Sequence, residues 1–236
     1  MKKFKTILYA ASILGAMTLA SCTDLTENIY SELTKDNYYI DPQSVESAVV
    51  RCYEHSDNVA WRGDIWKLQE LTADHFVWTQ KGRHGYDDGM WIRLHEHKWN
   101  YIQSQINGAW VSSYQCISQI NTVLRDMNTL DFSSIGVSEE DKAAYFGELR
   151  VLRAWYYMFL LDFFRQVPIA TEQQGAEEIV AQSSAEDVYN FIESEIKEVF
   201  ASTAQRKKTR SLDTRTCCRF IGSFIFEFRS MGWKRP

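Results

Sequence analysis

Along most of the chain, apolar residues recur at steps of three and four, the period of a helix buried along one stripe. Asp41-Pro42 opens the first such stretch, with Asp as N-cap and Pro at the first helical position. Val45, Ala48, Val49, Cys52 and Tyr53 then fall on one face. A second helix is predicted over Trp61–Ala73, with Ile65, Leu68 and Leu71 inward. A third runs over Ile106–Met127 through Trp110, Tyr114, Ile117, Ile120 and Leu124. Ser138, with Asp141 three residues on, resembles a capping box with Asp in place of Glu. It opens a helix through Leu149, Leu152, Tyr156, Phe159 and Phe163, with Pro168 beyond its end. From Leu152 to Phe164 that helix is apolar on most faces, which makes it the central, most buried one. Trp155, Tyr156 and Tyr157 are assigned to core packing. Ser184 with Asp187 starts the last helix, with Val188, Phe191, Ile192, Ile196 and Val199 inward. The pattern predicts an all-α helical repeat or bundle, with no repeat length visible in the sequence itself.

One stretch breaks the period. Phe76–Tyr101 holds Gly82, Gly85 and Gly89 among the aromatics Phe76, Trp78, Tyr86, Trp91, Trp99 and Tyr101, and reads as an aromatic-rich loop region. The C–H face of a pyranose packs on Trp or Tyr while nearby polar groups take the hydroxyls. Trp78, Trp91 and Trp99 are therefore candidate ligand-binding residues, against the alternative that they pack in a core or interface. His95-Glu96-His97 lacks His-Glu-x-x-His spacing and a third ligand, so it reads as surface or loop. Asp87-Asp88 has no EF-hand-type loop around it and reads as turn chemistry. No catalytic triad or phosphate loop stands out, and no carboxylate pair is singled out for glycoside hydrolysis. No catalytic residue, metal or cofactor is assigned.

Before the helices, Lys2, Lys3 and Lys5 precede an apolar run from Ile7 to Ala20 that ends in Leu19-Ala20-Ser21-Cys22. Residues 1–21 read as a secretory signal. The last four residues resemble the bacterial lipobox, which implies lipid attachment at Cys22. The alternative is an ordinary secretory signal with a chance cysteine. Each buried methylene contributes roughly 0.8 kcal/mol, so several acyl chains would hold the protein at a membrane. No later stretch is apolar enough to span a bilayer, so the lipid would be the anchor. Cys52 and Cys116 lie in helical patterns and read as small buried hydrophobes, not a disulfide framework. Charge is uneven. Cys22–Ala204 carries 14 Lys or Arg against 29 Asp or Glu, a net of −15, whereas Gln205–Pro236 carries 9 against 2, a net of +7. The acidic body argues against nucleic acid as a partner.

Four segments, in order, resemble the SusD/RagB family of outer-membrane nutrient-binding lipoproteins. They are Cys22–Tyr53, with Asp-Asn-Tyr-Tyr at 36–39; Trp110-x-x-x-Tyr114-x-x-Ile117-x-x-Ile120-Asn121; Glu148-Leu149-Arg150-x-Leu152-Arg153-Ala154-Trp155-Tyr156-Tyr157 with Asp162-Phe163-Phe164 and Val167-Pro168-Ile169; and Ser184–Tyr189 leading into Ile192 and Glu195. The resemblance implies an all-α fold of tetratricopeptide-like helix pairs over residues 22–204. It implies a protein that captures oligosaccharides, or in some members peptides, at the cell surface and passes them to a SusC-type TonB-dependent transporter. Family ligand sites come from loops, so no ligand residue is carried over by motif. Where the family commonly has a Gly before Val-Pro, this chain has Arg165-Gln166. Within this frame a lipid-anchored glycoside hydrolase and a purely structural lipoprotein are the competing readings.

Residues 205–236 do not continue the pattern. This basic segment holds Cys217-Cys218 and lacks the glycine turn and Leu-rich helix the family would have there. Read from the second nucleotide of each codon, Arg219–Phe228 permits Ala-Leu-Leu-Ala-Arg-Leu-Tyr-Leu-Asn-Ser, which fits the family helix. The expectation is a frameshift between about Ala204 and Arg210, with premature termination.

Overall fold

The computed structural model describes residues 35–59, 63–172 and 179–204. Cys22, Trp61 and residues 205–236 lie outside the described residues. The chain divides into two compact units, Met1–Asn37 and Tyr38–Pro236. In the first, the described residues belong to the helical turn Lys35–Tyr38. The second is built, among the described residues, from six α-helices: α1 (Pro42–Arg51), α2 (Asp64–Thr72), α3 (Met90–His95), α4 (Ser104–Asn128), α5 (Glu139–Phe164) and α6 (Ala185–Ala204). Two short 3₁₀ turns, Glu54–Val59 and Asp87–Gly89, interrupt the connections.

The helix starts follow the capping chemistry. Asp41 accepts from Ser44 N at 2.7 Å, and the Ser44 hydroxyl accepts from Asp41 N at 3.2 Å, a complete capping box in front of Pro42. Ser138 accepts from Asp141 N at 3.0 Å, but Asp141 bonds the cap's hydroxyl at 2.6 Å instead of its amide. Asp, one carbon shorter than Glu, closes the cap on the side chain. Ser184 and Asp187 repeat the arrangement at 3.1 and 2.6 Å. α2 starts at Asp64, later than the pattern predicted, with Gly63 as N-cap.

α5 is the central helix, as its all-round apolarity predicts. Val151–Ala154 and Tyr156–Leu161 are all buried, and it packs against both α4 and α6. The contacts give the direction of each pair. Along α5, Gly147, Arg153 and Tyr157 meet Val199, Glu195 and Phe191 of α6, so the two helices run antiparallel. Arg153, Tyr157 and Phe164 likewise meet Asn121, Tyr114 and Trp110 of α4. Trp155 is half-buried and packs against the edge of the core, edge-on to Phe159 at 5.1 Å. Cys52 and Cys116 are buried and not joined in a disulfide, and burial, with Cys116 nearby, pushes Cys52 up to about 12.

A charged network lies at the α5–α6 seam. Arg153 Nη2 meets Glu195 Oε2 at 2.7 Å, with both side chains only 7% exposed. Arg150 bonds the other oxygen of Glu195 at 2.6 Å and also Glu198 at 2.6 Å. Arg153 Nη1 donates to Asn121 Oδ1 at 2.8 Å and to Thr171 O at 3.0 Å. After α5 the chain runs through Val167–Glu172 without forming a strand. Val167 O accepts from the Ser183 amide, and the carbonyls after it are taken by side chains: Pro168 O by Tyr114, Ala170 O by Asn121 and Tyr157, and Thr171 O by Arg153. Ala170 N returns a bond to the Tyr157 hydroxyl at 2.7 Å.

Candidate functional site

The aperiodic 76–101 region has more order than a loop. Its organising element is α3, a short helix absent from the sequence reading. Six residues are too few to show a 3.6-residue period. The turn before it is left-handed at three consecutive residues, with φ of 42° at Asp87, 55° at Asp88 and 70° at Gly89. Only glycine takes that region freely. Side chains from the helix hold the turn: Trp91 Nε1 donates to Asp87 Oδ2 at 2.6 Å, and Arg93 Nη1 donates to Asp88 O at 2.6 Å. Asp87 and Asp88 thus serve as turn residues, as read from the sequence.

The three candidate tryptophans do not form one platform. Trp91 is buried, and Trp78 stacks on it with centroids 5.0 Å apart and planes 25° apart. Lys67 Nζ lies 5.5 Å from the Trp91 ring. Trp91 has its ring faces in the fold, which leaves none for a sugar; the packing alternative holds for it. Trp78 is half-buried and continues edge-on into Phe76 at 6.4 Å and through it to Trp66 at 5.4 Å. This aromatic ladder fixes the segment to α2.

Trp99 is different. It is 42% exposed, and beside it Tyr101 is 88% exposed. His97 sets its position. The His97 ring lies edge-on to Trp99 at 5.3 Å, and Nε2 is 2.7 Å from Thr72 O. A carbonyl only accepts, so Nε2 carries the proton. His95 points elsewhere, with Nδ1 3.6 Å from Asp74. Asn100 Oδ1 accepts from Ile102 N at 3.0 Å, and Gln103 Nε2 donates to Met90 O at 2.9 Å, tying the end of the segment to α3.

Trp99 opens onto a cavity of about 560 Å³, within the range of small-molecule sites. Leu68, Gln69 and Thr72 of α2 form one wall; Trp99, Asn100 and Tyr101 form the rim; Ile106 of α4 and Asp162, Phe163 and Phe164 of α5 close it. α2 can lie close to α4 because of Gly108, where a Cβ would overlap the Asp64 carboxylate. Asp162 is half-buried, and burial raises its carboxyl above the usual carboxylate range while Arg165 pulls it back. The sequence marked Trp99 as a candidate; Asp162 stood there only within the family-like Asp162-Phe163-Phe164, and Gln69 and Asn100 carried no signal beyond polarity.

Of the Arg165-Gln166 pair, Arg165 has the backbone that suits glycine. It has φ 64° and ψ −65°, and Gln166 N donates across it to Phe164 O at 2.7 Å. This is a γ-turn of the strained hand, at the mouth of the α5 end.

Comparison with known proteins agrees with this architecture. The helical unit is similar to a laminarin-binding SusD-like protein, at 21% identity and a TM-score of 0.58, over 68% of this chain and 34% of the other. It is also similar to surface glycan-binding protein A from Bacteroides uniformis, at 20% identity and a TM-score of 0.63, over 80% of this chain and 42% of the other. The Bacteroides fluxus protein of the same name gives 18% and 0.62, over 80% and 40%. The chain thus spans less than half the length of these structures. No curated protein matches it. The SusD-like family model, described as starch-binding associating with outer membrane, matches residues 20–207. That match takes in all six helices, the α5–α6 ion network and the aromatic segment with its cavity, and by it the chain belongs to the SusD-like family.

Proposed function

We propose that this protein is a non-catalytic, lipid-anchored glycan-binding protein of the outer membrane, which captures oligosaccharides and passes them to a SusC-type TonB-dependent transporter. The observation that carries the reading is the family match together with an open aromatic cavity in the same unit. Trp99 offers a ring face, and Asn100, Gln69 and Asp162 offer hydroxyl partners around it. The relatives' names, laminarin binding and surface glycan binding, support a carbohydrate ligand. Cys22, after its lipobox-like Leu19-Ala20-Ser21, carries the anchor.

Titration of the chain with a panel of oligosaccharides tests the capture step. Binding without product formation is expected, and Trp99→Ala weakens it by about tenfold, the worth of one well-packed aromatic contact. Hydrolysis of the ligand would overturn the non-catalytic reading. Metabolic labelling with a palmitate analogue tests the anchor separately, with incorporation expected in the wild type and lost in Cys22→Ala. Co-purification with a TonB-dependent transporter tests the hand-over.

A further inference from the structure

The polar lining of the Trp99 cavity is uneven. Gln69, Thr72, Asn100 and Asp162 supply its non-aromatic polar groups, and only Asp162 is ionisable. Its carboxylate accepts no hydrogen bond from a described residue; Arg165, which is not in the lining, acts on it through space. Burial has stripped part of its water, and no described residue supplies a donor in exchange. An ionised carboxylate is acceptor-only, with about four lone-pair positions to fill. Sugar hydroxyls are donors, and charge-assisted bonds to them are stronger than neutral ones. The same carboxylate repels a second anion brought to contact, where water screens poorly. The acidic body adds a field of the same sign at longer range, with a net charge of −15 over Cys22–Ala204.

We infer that the cavity selects neutral oligosaccharides against uronate-bearing or sulfated ones, with Asp162 as the specificity-determining residue. This rests on the glycan-capture reading above and names the ligand class for that site. Trp99 supplies the surface any pyranose can use, charged or not. Asp162 supplies the discrimination, rewarding hydroxyl donors and penalising carboxylate at the same place. Asn100 and Gln69, able to donate and accept, do not discriminate by charge.

The test is calorimetric titration of the chain with neutral gluco- and manno-hexasaccharides and with hexagalacturonate, at about 0.15 M salt so that long-range charge is screened. The wild type is expected to bind a neutral hexasaccharide at least about tenfold tighter than the uronate. Asp162→Asn, checked for folding by near-ultraviolet circular dichroism, is expected to lose about tenfold in neutral binding and to bring the two affinities together. Gln69→Lys is expected to raise uronate affinity about tenfold, which ties binding to this cavity, and if Asp162→Asn does not fold the wild-type ratio together with this variant decides the matter. Equal binding of both classes by the wild type, or an unchanged ratio in folded Asp162→Asn, would overturn the selectivity while leaving glycan capture standing. Unchanged uronate affinity in Gln69→Lys would likewise place the ligand elsewhere. If the chain binds neither class, the capture reading fails and the inference falls with it.

Discussion

The α5–α6 seam and the 76–102 segment handle polar groups in opposite ways. At the seam, Arg150, Arg153, Glu195, Glu198 and Asn121 bond one another, and the charges at its centre are shut off from water. In the 76–102 segment, buried groups such as Trp91 Nε1 are satisfied internally, but Trp99, Tyr101 and Ile102 face outward. The first arrangement fixes helix register: a slip by one turn would leave a buried charge unpaired. The second leaves apolar and hydrogen-bonding surface uncommitted beside a cavity. A frame whose buried charges are paired can carry a segment whose groups face outward.

The largest effect expected from breaking this contrast is at the seam. Glu195→Ala leaves Arg153 buried without its carboxylate and is expected to cost about 3–5 kcal/mol, read as a lowered midpoint in urea unfolding. A loss below about 1 kcal/mol would mean that water reaches the pair. Next is the split within the loop segment. Trp91→Ala removes a buried ring and is expected to cost about 3–5 kcal/mol, whereas Trp99→Ala stays within about 0.5 kcal/mol in the same assay. Equal costs would erase the distinction between the packed ladder and the open rim.

Arg165→Gly is expected to stabilise by about 0.5–1 kcal/mol. Relief of the left-handed backbone, roughly 1–2 kcal/mol, is partly offset by the larger chain entropy of glycine. A rise in thermal midpoint checks it. The smallest effect is at Glu148, whose Oε1 accepts from the Tyr53 hydroxyl at 2.7 Å. Burial raises its carboxyl above the usual range; the Tyr53 bond opposes that, and Glu46 adds to it. The folded chain holds this proton more tightly than the unfolded one. Its contribution to stability therefore falls as pH rises from the ordinary Glu value through the raised one. Glu148→Gln keeps an acceptor for Tyr53 and removes that loss. It is expected to be the more stable protein at neutral pH, with the difference vanishing below the ordinary Glu range.

The frame was legible because long helices repeat their signal. Val45 through Cys52, Ile117 through Met127 and Leu149 through Leu161 each give several turns of evidence for one buried face. Asp41, Ser138 and Ser184 mark starts by local chemistry alone. α3 escaped because one and a half turns show no period, and its anchor is an unusual turn with two non-glycine residues at positive φ. The site was half legible. Trp99 stood out as an aromatic outside any stripe, but so did Trp91, and nothing in sequence tells an outward ring from one stacked on Trp78. Asp162 stood in the family-like Asp162-Phe163-Phe164 with nothing to mark it as a lining residue; only the folding back of Trp99 and α2 over it makes a cavity.

The side-chain clasp on Val167–Glu172 has a consequence for hydrogen exchange. Backbone amides in irregular segments normally exchange through small local openings. The Ala170 amide instead donates to a hydroxyl whose ring is fully buried in α5 and packed against α6. Releasing it requires the segment to break its bonds to Tyr157, Asn121 and Arg153 together. This one amide, outside any helix or strand, should exchange more slowly than others in irregular segments, and its rate would report the release of the clasp.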